Sequence, residues 1–266
     1  MKRGDIQYDL TAEVEIVRVR NLEKNKETDR VVLETPLTIF LNDHEFITLL
    51  CSPDNLDCLA VGFLRSEGLI ERAADIEKID VDVEKGFVYL KTAAKDDLIN
   101  KLYGKRMITS GCGKGSLFFN ALDSLQSKRI ESPLQVKAEE ILKLVGAVQD
   151  KALLFKSTGG VHSAALAERD QILFYSEDIG RHNAVDKIVG ECILKDISLE
   201  DKILLTSGRI SSEIVIKGAK LGLPLIVSRS APTSLAVELA RETGITLVGF
   251  ARGKRLNIYS HSVRIA

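Results

Sequence analysis

From about Gln135 onward, short apolar runs of strand length alternate with segments of helical length, and no other pattern in the chain restricts its architecture so strongly. The runs are Ile172–Tyr175, Ile203–Thr206, Leu225–Val227 and Thr246–Phe250. Between them lie helical segments near Gly180–Lys195, Ser211–Leu221 and Thr233–Thr243. Strands separated by helices of this length predict an α/β domain built on a mostly parallel sheet. The first hundred residues read differently. Val14–Arg20, Leu37–Leu41 and Phe46–Leu50 are strand-like, and polar Glu23–Asp29 is expected to be a loop. Ser52-Pro53-Asp54 looks like a helix start. That helix buries Leu56, Leu59, Ala60, Phe63 and Leu64 at three- and four-residue spacing and ends near Gly68. Ile76–Val83 and Gly86–Thr92 suggest a hairpin. The expected organisation is an α+β N-terminal region over residues 1–134 and an α/β domain over residues 135–266.

Bulk properties exclude several classes. Lys and Arg number 37 against 38 Asp and Glu, a net charge of −1, which argues against a generic nucleic-acid binder. Cys51, Cys58, Cys112 and Cys192 do not form a disulfide framework, and no C-x-x-C pair or Cys/His cluster suggests a metal site. No stretch approaches the roughly eighteen apolar residues of a membrane span. A cytoplasmic protein with reduced thiols is expected.

One of the four cysteines stands apart. Cys112 lies in Gly111-Cys112-Gly113-Lys114-Gly115, within a stretch free of acid from Asp97 to Asp123 that carries Lys101, Lys105, Arg106 and Lys114. Nearby positive charge lowers a thiol's pKa, and flanking glycines leave room for a partner to reach the sulfur. The plainer alternative is a turn with a small residue in it. Cys192 instead falls on an apolar helical face with Ala184, Val185, Ile188, Val189 and Ile193, and is expected in the core.

In an open α/β sheet, ligands collect beyond the carboxyl ends of the strands, where helix N-termini offer free N–H groups. Four polar segments are predicted at that edge. They are Lys156–His162, Glu177–Asn183, Ser207-Gly208-Arg209 and Ser228–Thr233. Their hydroxyls, glycines and basic residues suit phosphate. Arg181, His182 and Asn183 occupy a helix's first turn, where basic residues oppose the dipole unless an anion is bound. The alternative there is a solvated helix face, with Asp186 and Lys187 one turn on from His182 and Asn183. A zinc deaminase would show H-x-E and P-C-x-x-C. His162-Ser163-Ala164 lacks the Glu, and no P-C-x-x-C occurs. Phe250-Ala251-Arg252-Gly253-Lys254-Arg255 adds a second basic region, and strand-like Leu256–Tyr259 behind it makes it an ordered turn.

Together these segments resemble the formate dehydrogenase accessory protein family, often called FdhD. The resemblance runs through Glu34–Ile39, Leu49–Pro53, Gly62-Phe63-Leu64, Thr158–His162, Glu177–Lys187, Thr206–Arg209, Ser230–Ala236 and Val248-Gly249-Phe250. It implies a homodimeric sulfurtransferase that takes persulfide sulfur from a cysteine desulfurase. The sulfur goes to the molybdenum or tungsten bis(molybdopterin guanine dinucleotide) cofactor for the formate dehydrogenase catalytic subunit. It also implies a cytidine-deaminase-like C-terminal fold without zinc. On that reading Cys112 carries the sulfur. The cofactor contacts are Lys114, His162, Asp178, Arg181, His182, Asn183, Ser207, Arg209, Ser230, Ala231, Pro232, Ser234, Phe250, Ala251, Arg252, Gly253, Lys254 and Arg255.

One departure matters. Many members carry C-x-x-C before Gly-Lys, and here Thr109 stands where the first cysteine would be. That excludes an internal disulfide within this loop and keeps a second reading open, a chaperone that escorts the cofactor without carrying sulfur. A third reading, an unrelated nucleotide-dependent enzyme, has no Walker or dinucleotide fingerprint behind it.

Overall fold

The computed structural model describes residues 9–92 and 129–266, and Cys112 and Lys114 lie outside them. Strands β1 (Thr11–Arg20) and β2 (Glu23–Val32) form a separate antiparallel hairpin. Asn21 and Leu22 turn it with φ of 50° and 69°, the paired left-handed residues of a type I′ turn. The loop expected at Glu23–Asp29 is therefore strand. Its sequence hid this because β2 covers no core, so Glu23 to Lys26 are all exposed and no apolar alternation marks them.

A four-stranded sheet follows, ordered β4-β3-β6-β5, from β3 (Thr35–Leu41), β4 (His44–Cys51), β5 (Ile76–Asp82) and β6 (Phe87–Thr92). Leu37, Ile39 and Leu41 alternate inward from β3. They pack with Leu59, Phe63 and Leu64 of helix α1 (Leu56–Glu67), which stops at Gly68, φ 81°. The glycine accepts the left-handed turn that ends a helix.

The larger sheet has six strands in the order β12-β11-β10-β9-β7-β8. They are β7 (His162–Glu168), β8 (Gln171–Asp178), β9 (Ile203–Thr206), β10 (Leu225–Ser228), β11 (Thr246–Arg252) and β12 (Arg255–Ser260). Helices α4 (Arg181–Leu194), α5 (Ser212–Lys220) and α6 (Ser234–Thr243) lie between strands in the chain. Ile188, Ile214 and Leu239 of these helices meet Leu166, Leu204, Ile226 and Leu247 on one face. On the other, Ile141, Leu144, Val145 and Val148 of α2 (Ala138–Lys151) meet Ala165, Leu205, Val227 and Val248.

The mostly parallel sheet expected from sequence is corrected to a mixed one. Only the β9–β10 and β10–β11 pairings are parallel, and these are the strands joined by helical crossovers. β7–β8, β7–β9 and β11–β12 are antiparallel. β7 escaped notice because its Ser163–Ala167 stretch is buried throughout, so period-two alternation is absent. Its hairpin partner β8 therefore lacked a neighbour in the sequence reading. The apolar residues Ala152–Phe155 lead into a short helix, α3 (Leu153–Thr158).

The two sheets are joined where α1 crosses α4. A Cβ at Gly62 would collide with the Asp186 carbonyl, and one at Gly190 with the Cys58 carbonyl. At this crossing the helices meet backbone against backbone, with no side chain between them.

Candidate functional site

β7 runs opposite to its neighbour β9, so its first residue, His162, lies at the edge where β8, β9, β10 and β11 end. All four predicted segments reach this edge, together with the end of β11. They bound a cleft of about 480 Å³ whose walls include Phe155, Gly160, His162, Ile179, Ser207, Arg229, Ser230, Phe250 and Arg252.

Backbone bonds hold the floor. The Ser207 N–H donates to the Ser163 carbonyl (2.9 Å), and the Ser163 N–H donates to Ser207 Oγ (2.9 Å). Ser228 Oγ donates to the Gly208 carbonyl (2.6 Å) and accepts from the Ser230 N–H (2.9 Å). Gly208 is closely approached, since a Cβ there would lie 3.0 Å from Arg181 Cβ and 3.4 Å from His162 Nδ1. Phe250 adopts φ 51°, unusual for a bulky side chain, and its N–H donates to the Ser230 carbonyl (3.0 Å). Arg252 lies 5.7 Å from the Phe250 ring centre.

The cleft is cationic. Arg229 and Arg252 line it, and among the described residues no acidic one does. Burial first, then Arg181 and Arg209, push the His162 imidazole below its usual pKa. Among the described residues none of these four arginines forms an ion pair. Nearby carboxylates are already engaged. Glu177 accepts the N–H groups of Leu154 (3.0 Å) and Phe155 (2.9 Å) at the start of α3, which sets the Phe155 wall. Arg181 Nε is buried with no hydrogen bond.

Three predicted contacts are committed to the protein instead. Asp178 is 0 % exposed; Oδ2 meets Lys187 Nζ at 2.8 Å and the Ser52 N–H at 3.1 Å, and Oδ1 accepts from the Gly180 N–H and Asn183 Nδ2. Asn183 Nδ2 also donates to the Leu50 carbonyl (2.8 Å). Ala251 sits in the core. Asp178 is thus a buried clamp behind the rim, and the Asn183 amide nitrogen is spent on Leu50 and Asp178. Lys187 and Asp186 are likewise interior rather than on a solvated face, Asp186 being held by Lys217 (2.6 Å) and Ser66 (2.7 Å). Ala231 accepts from Ile210 through its backbone, and Pro232 packs by Gly249. Ser234 opens α6, Gly253 and Lys254 form the exposed β11–β12 turn and Arg255 begins β12, and none of the four lines the cleft. Sequence reasoning missed Phe155 as a wall residue, and it placed Glu177 in an edge segment without its role of holding the start of α3, a helix the periodicity does not reveal.

His182 faces α5. Glu213 Oε2 is 3.1 Å from Nε2, but both ring nitrogens lack an aligned hydrogen bond, so this is proximity only. Burial foremost, then Lys217 and Arg181, hold the imidazole down to about pKa 3. In the unfolded chain it titrates near the ordinary 6.5. Below that pH the unfolded state binds a proton the folded state refuses, so stability falls as pH drops from 6.5 toward 3. A His182→Asn variant is expected to lose less stability than the parent between pH 7 and pH 5 in urea unfolding. Equal losses would show that His182 does not carry this sensitivity.

Burial pushes the Cys51 and Cys192 thiols up to about 12, so neither is a ready nucleophile.

The fold is a mixed α/β sheet whose strand ends and helix starts enclose a cleft lined by Arg229 and Arg252 and, among the described residues, by no carboxylate. The FdhD/NarQ family model matches residues 32–266, and the chain belongs to that family. It is 44% identical over 250 residues to the sulfur carrier protein FdhD of Geobacillus kaustophilus, covering 94% of this chain and 95% of that protein. With the Bacillus subtilis protein of the same name it shares 42% over 256 residues, covering 96% and 98%. A solved structure described as a formate dehydrogenase accessory protein, from Desulfotalea psychrophila, superposes with TM-score 0.80 at 28% identity, covering 97% of this chain and all of that one. Among the described residues no helix is long and apolar enough to cross a membrane.

Proposed function

We propose that this chain is a sulfur carrier serving formate dehydrogenase, and that the cleft holds the cargo that receives the sulfur. The observation that carries the reading is a set of arginines with no ion-pair partner among the described residues, Arg229 and Arg252 lining the cleft and Arg181 and Arg209 near its His162, in a chain whose relatives are named sulfur carriers. A molybdenum or tungsten bis(molybdopterin guanine dinucleotide) fits this chemistry. Its phosphates suit Arg229 and Arg252 on the cleft wall, with Arg181 and Arg209 close to His162 behind them, and its flat guanines suit the Phe155 and Phe250 walls. The protein works in the cytoplasm as a homodimer with a cytidine-deaminase-like C-terminal domain.

Cys112 is the carrier. Its thiolate, favoured by Lys114 and neighbouring cations, attacks the outer sulfur of a persulfide on the cysteine desulfurase. The donor S–S bond breaks, the donor cysteine leaves as thiolate, and a new S–S bond holds the sulfur on Cys112. No oxidant is consumed. Thr109 supports the second reading, escort of the cofactor without covalent transfer, because the loop has no second thiol.

Peptide mass spectrometry after incubation with a cysteine desulfurase and cysteine separates the two. One added sulfur atom on Cys112, and none on Cys51, Cys58 or Cys192, is the expected result. An unmodified Cys112, with the desulfurase active on a known acceptor, would leave escort as the function.

A further inference from the structure

We propose that Ser207 is a positioning residue that fixes the tautomer of His162, keeping Nδ1 bare and leaving the proton on Nε2 as a neutral donor to a phosphate oxygen in the cleft. The inference rests on the reading of the cleft as a phosphate site. Of the four histidines in the chain, His162 is the one that lines it. Its Nδ1 is turned toward the Ser207-Gly208 turn, 3.5 Å from Ser207 Oγ and 3.4 Å from the point a Gly208 Cβ would occupy. Nε2, across the ring, has no hydrogen-bond partner among the described residues and is not sealed from solvent.

Two observations decide which nitrogen holds the proton. Ser207 Oγ already accepts the Ser163 N–H (2.9 Å), and its own single proton has His162 Nδ1 as the acceptor in reach among the described residues. The Arg181 stem crowds the same spot, its Cβ and Cδ 3.0 Å and 3.3 Å from that Gly208 point, and its Nε is buried with no hydrogen bond. A proton on Nδ1 would face this cation, whereas a lone pair there is stabilised by it. A hydroxyl donor and a cation on one side of an imidazole both favour the bare nitrogen on that side, and the tautomer follows. Burial, with Arg181 and Arg209 outweighing Asp178, keeps the ring neutral. The arginines therefore supply attraction at the cleft, and the imidazole supplies direction.

The tautomer is read by long-range proton–nitrogen NMR of the full chain, labelled with nitrogen-15 histidine, at pH 7. The His162 signals are those lost in His162→Gln. A bare Nδ1 and a protonated Nε2 are expected, and Ser207→Ala should leave a mixture of both tautomers. A proton on Nδ1 in the parent, a charged ring, or an unchanged tautomer in folded Ser207→Ala would overturn the positioning role. The donor role is read by calorimetric titration with guanosine diphosphate, with guanosine as the uncharged control. His162→Ala is expected to weaken guanosine diphosphate binding about tenfold. His162→Gln, whose amide offers an N–H near the place of Nε2, should lose about threefold or less. Guanosine binding should change in neither. Equal losses in the two variants, or a loss for guanosine matching that for guanosine diphosphate, would overturn the donor role. Failure of the parent chain to bind guanosine diphosphate would overturn the cleft reading and the donor role together. The tautomer, read without ligand, would still decide the positioning by Ser207.

Discussion

Gly190→Ala is expected to destabilise the protein by about 3 kcal/mol or more, because its single added carbon must displace the backbone of α1. Ordinary overpacking is relieved by side-chain rotation. Here the atom in the way is the Cys58 carbonyl, and Gly62 presents the reciprocal obstacle at Asp186. The helices can accommodate a methyl only by moving apart, which loosens Leu59, Phe63, Val185 and Val189 together. For a chain of this size the drop in Tm is roughly 6–12 °C. Gly146, with open space around its Cβ position, is the control: Gly146→Ala in the middle of α2 should hold or gain stability. Matching urea midpoints for Gly190→Ala and the parent would refute the crossing as described.

Lys187→Met is the second large effect. Lys187 and Asp178 are 1 % and 0 % exposed, with the ammonium also donating to the Ser52 carbonyl (3.1 Å) and the Glu177 carbonyl (3.3 Å). Removing the cation leaves Asp178 ionised in the interior, a change that costs about 3–5 kcal/mol. Removing the charge of both, as Lys187→Met with Asp178→Asn, should recover a large part of that loss, since the penalty comes from the unmatched charge. The measurement is urea unfolding of the single and double variants at pH 7. A single variant as stable as the parent, or a double variant worse than the sum of its parts, would refute the account. Because Asp178 also holds Gly180 and Asn183, the single variant should disturb the first turn of α4 that carries Arg181 and His182.

Where apolar periodicity meets one buried face, sequence and structure agree closely. Leu56, Leu59, Ala60, Phe63 and Leu64 announced α1 and Gly68 its end, and the Ala184–Cys192 face announced α4. The turns that gather at the cleft were legible because Gly, Ser and Arg follow short apolar runs. The rest failed for identifiable reasons. β2 has no core to face, and β7 is buried on both faces with small residues, so neither alternates. Without β7, nothing in the sequence could reveal that His162 enters the site from an antiparallel strand. Asp178 and Asn183 looked like ligand groups because buried polar clamps and binding groups draw on the same residue types. Only burial, and partners more than a hundred residues away such as Ser52 and Leu50, tell them apart.

The glycine crossing also limits how the chain can vary. A joint between two backbones has no side chain to trade for a slightly larger or smaller one, and any departure from glycine adds at least one carbon. Angle and separation between the sheets therefore have no graded series of neighbouring solutions, whereas the cleft's walls, built from exchangeable side chains, have many. The walls can be retouched one side chain at a time, while the joint remains the fixed datum from which every wall is measured.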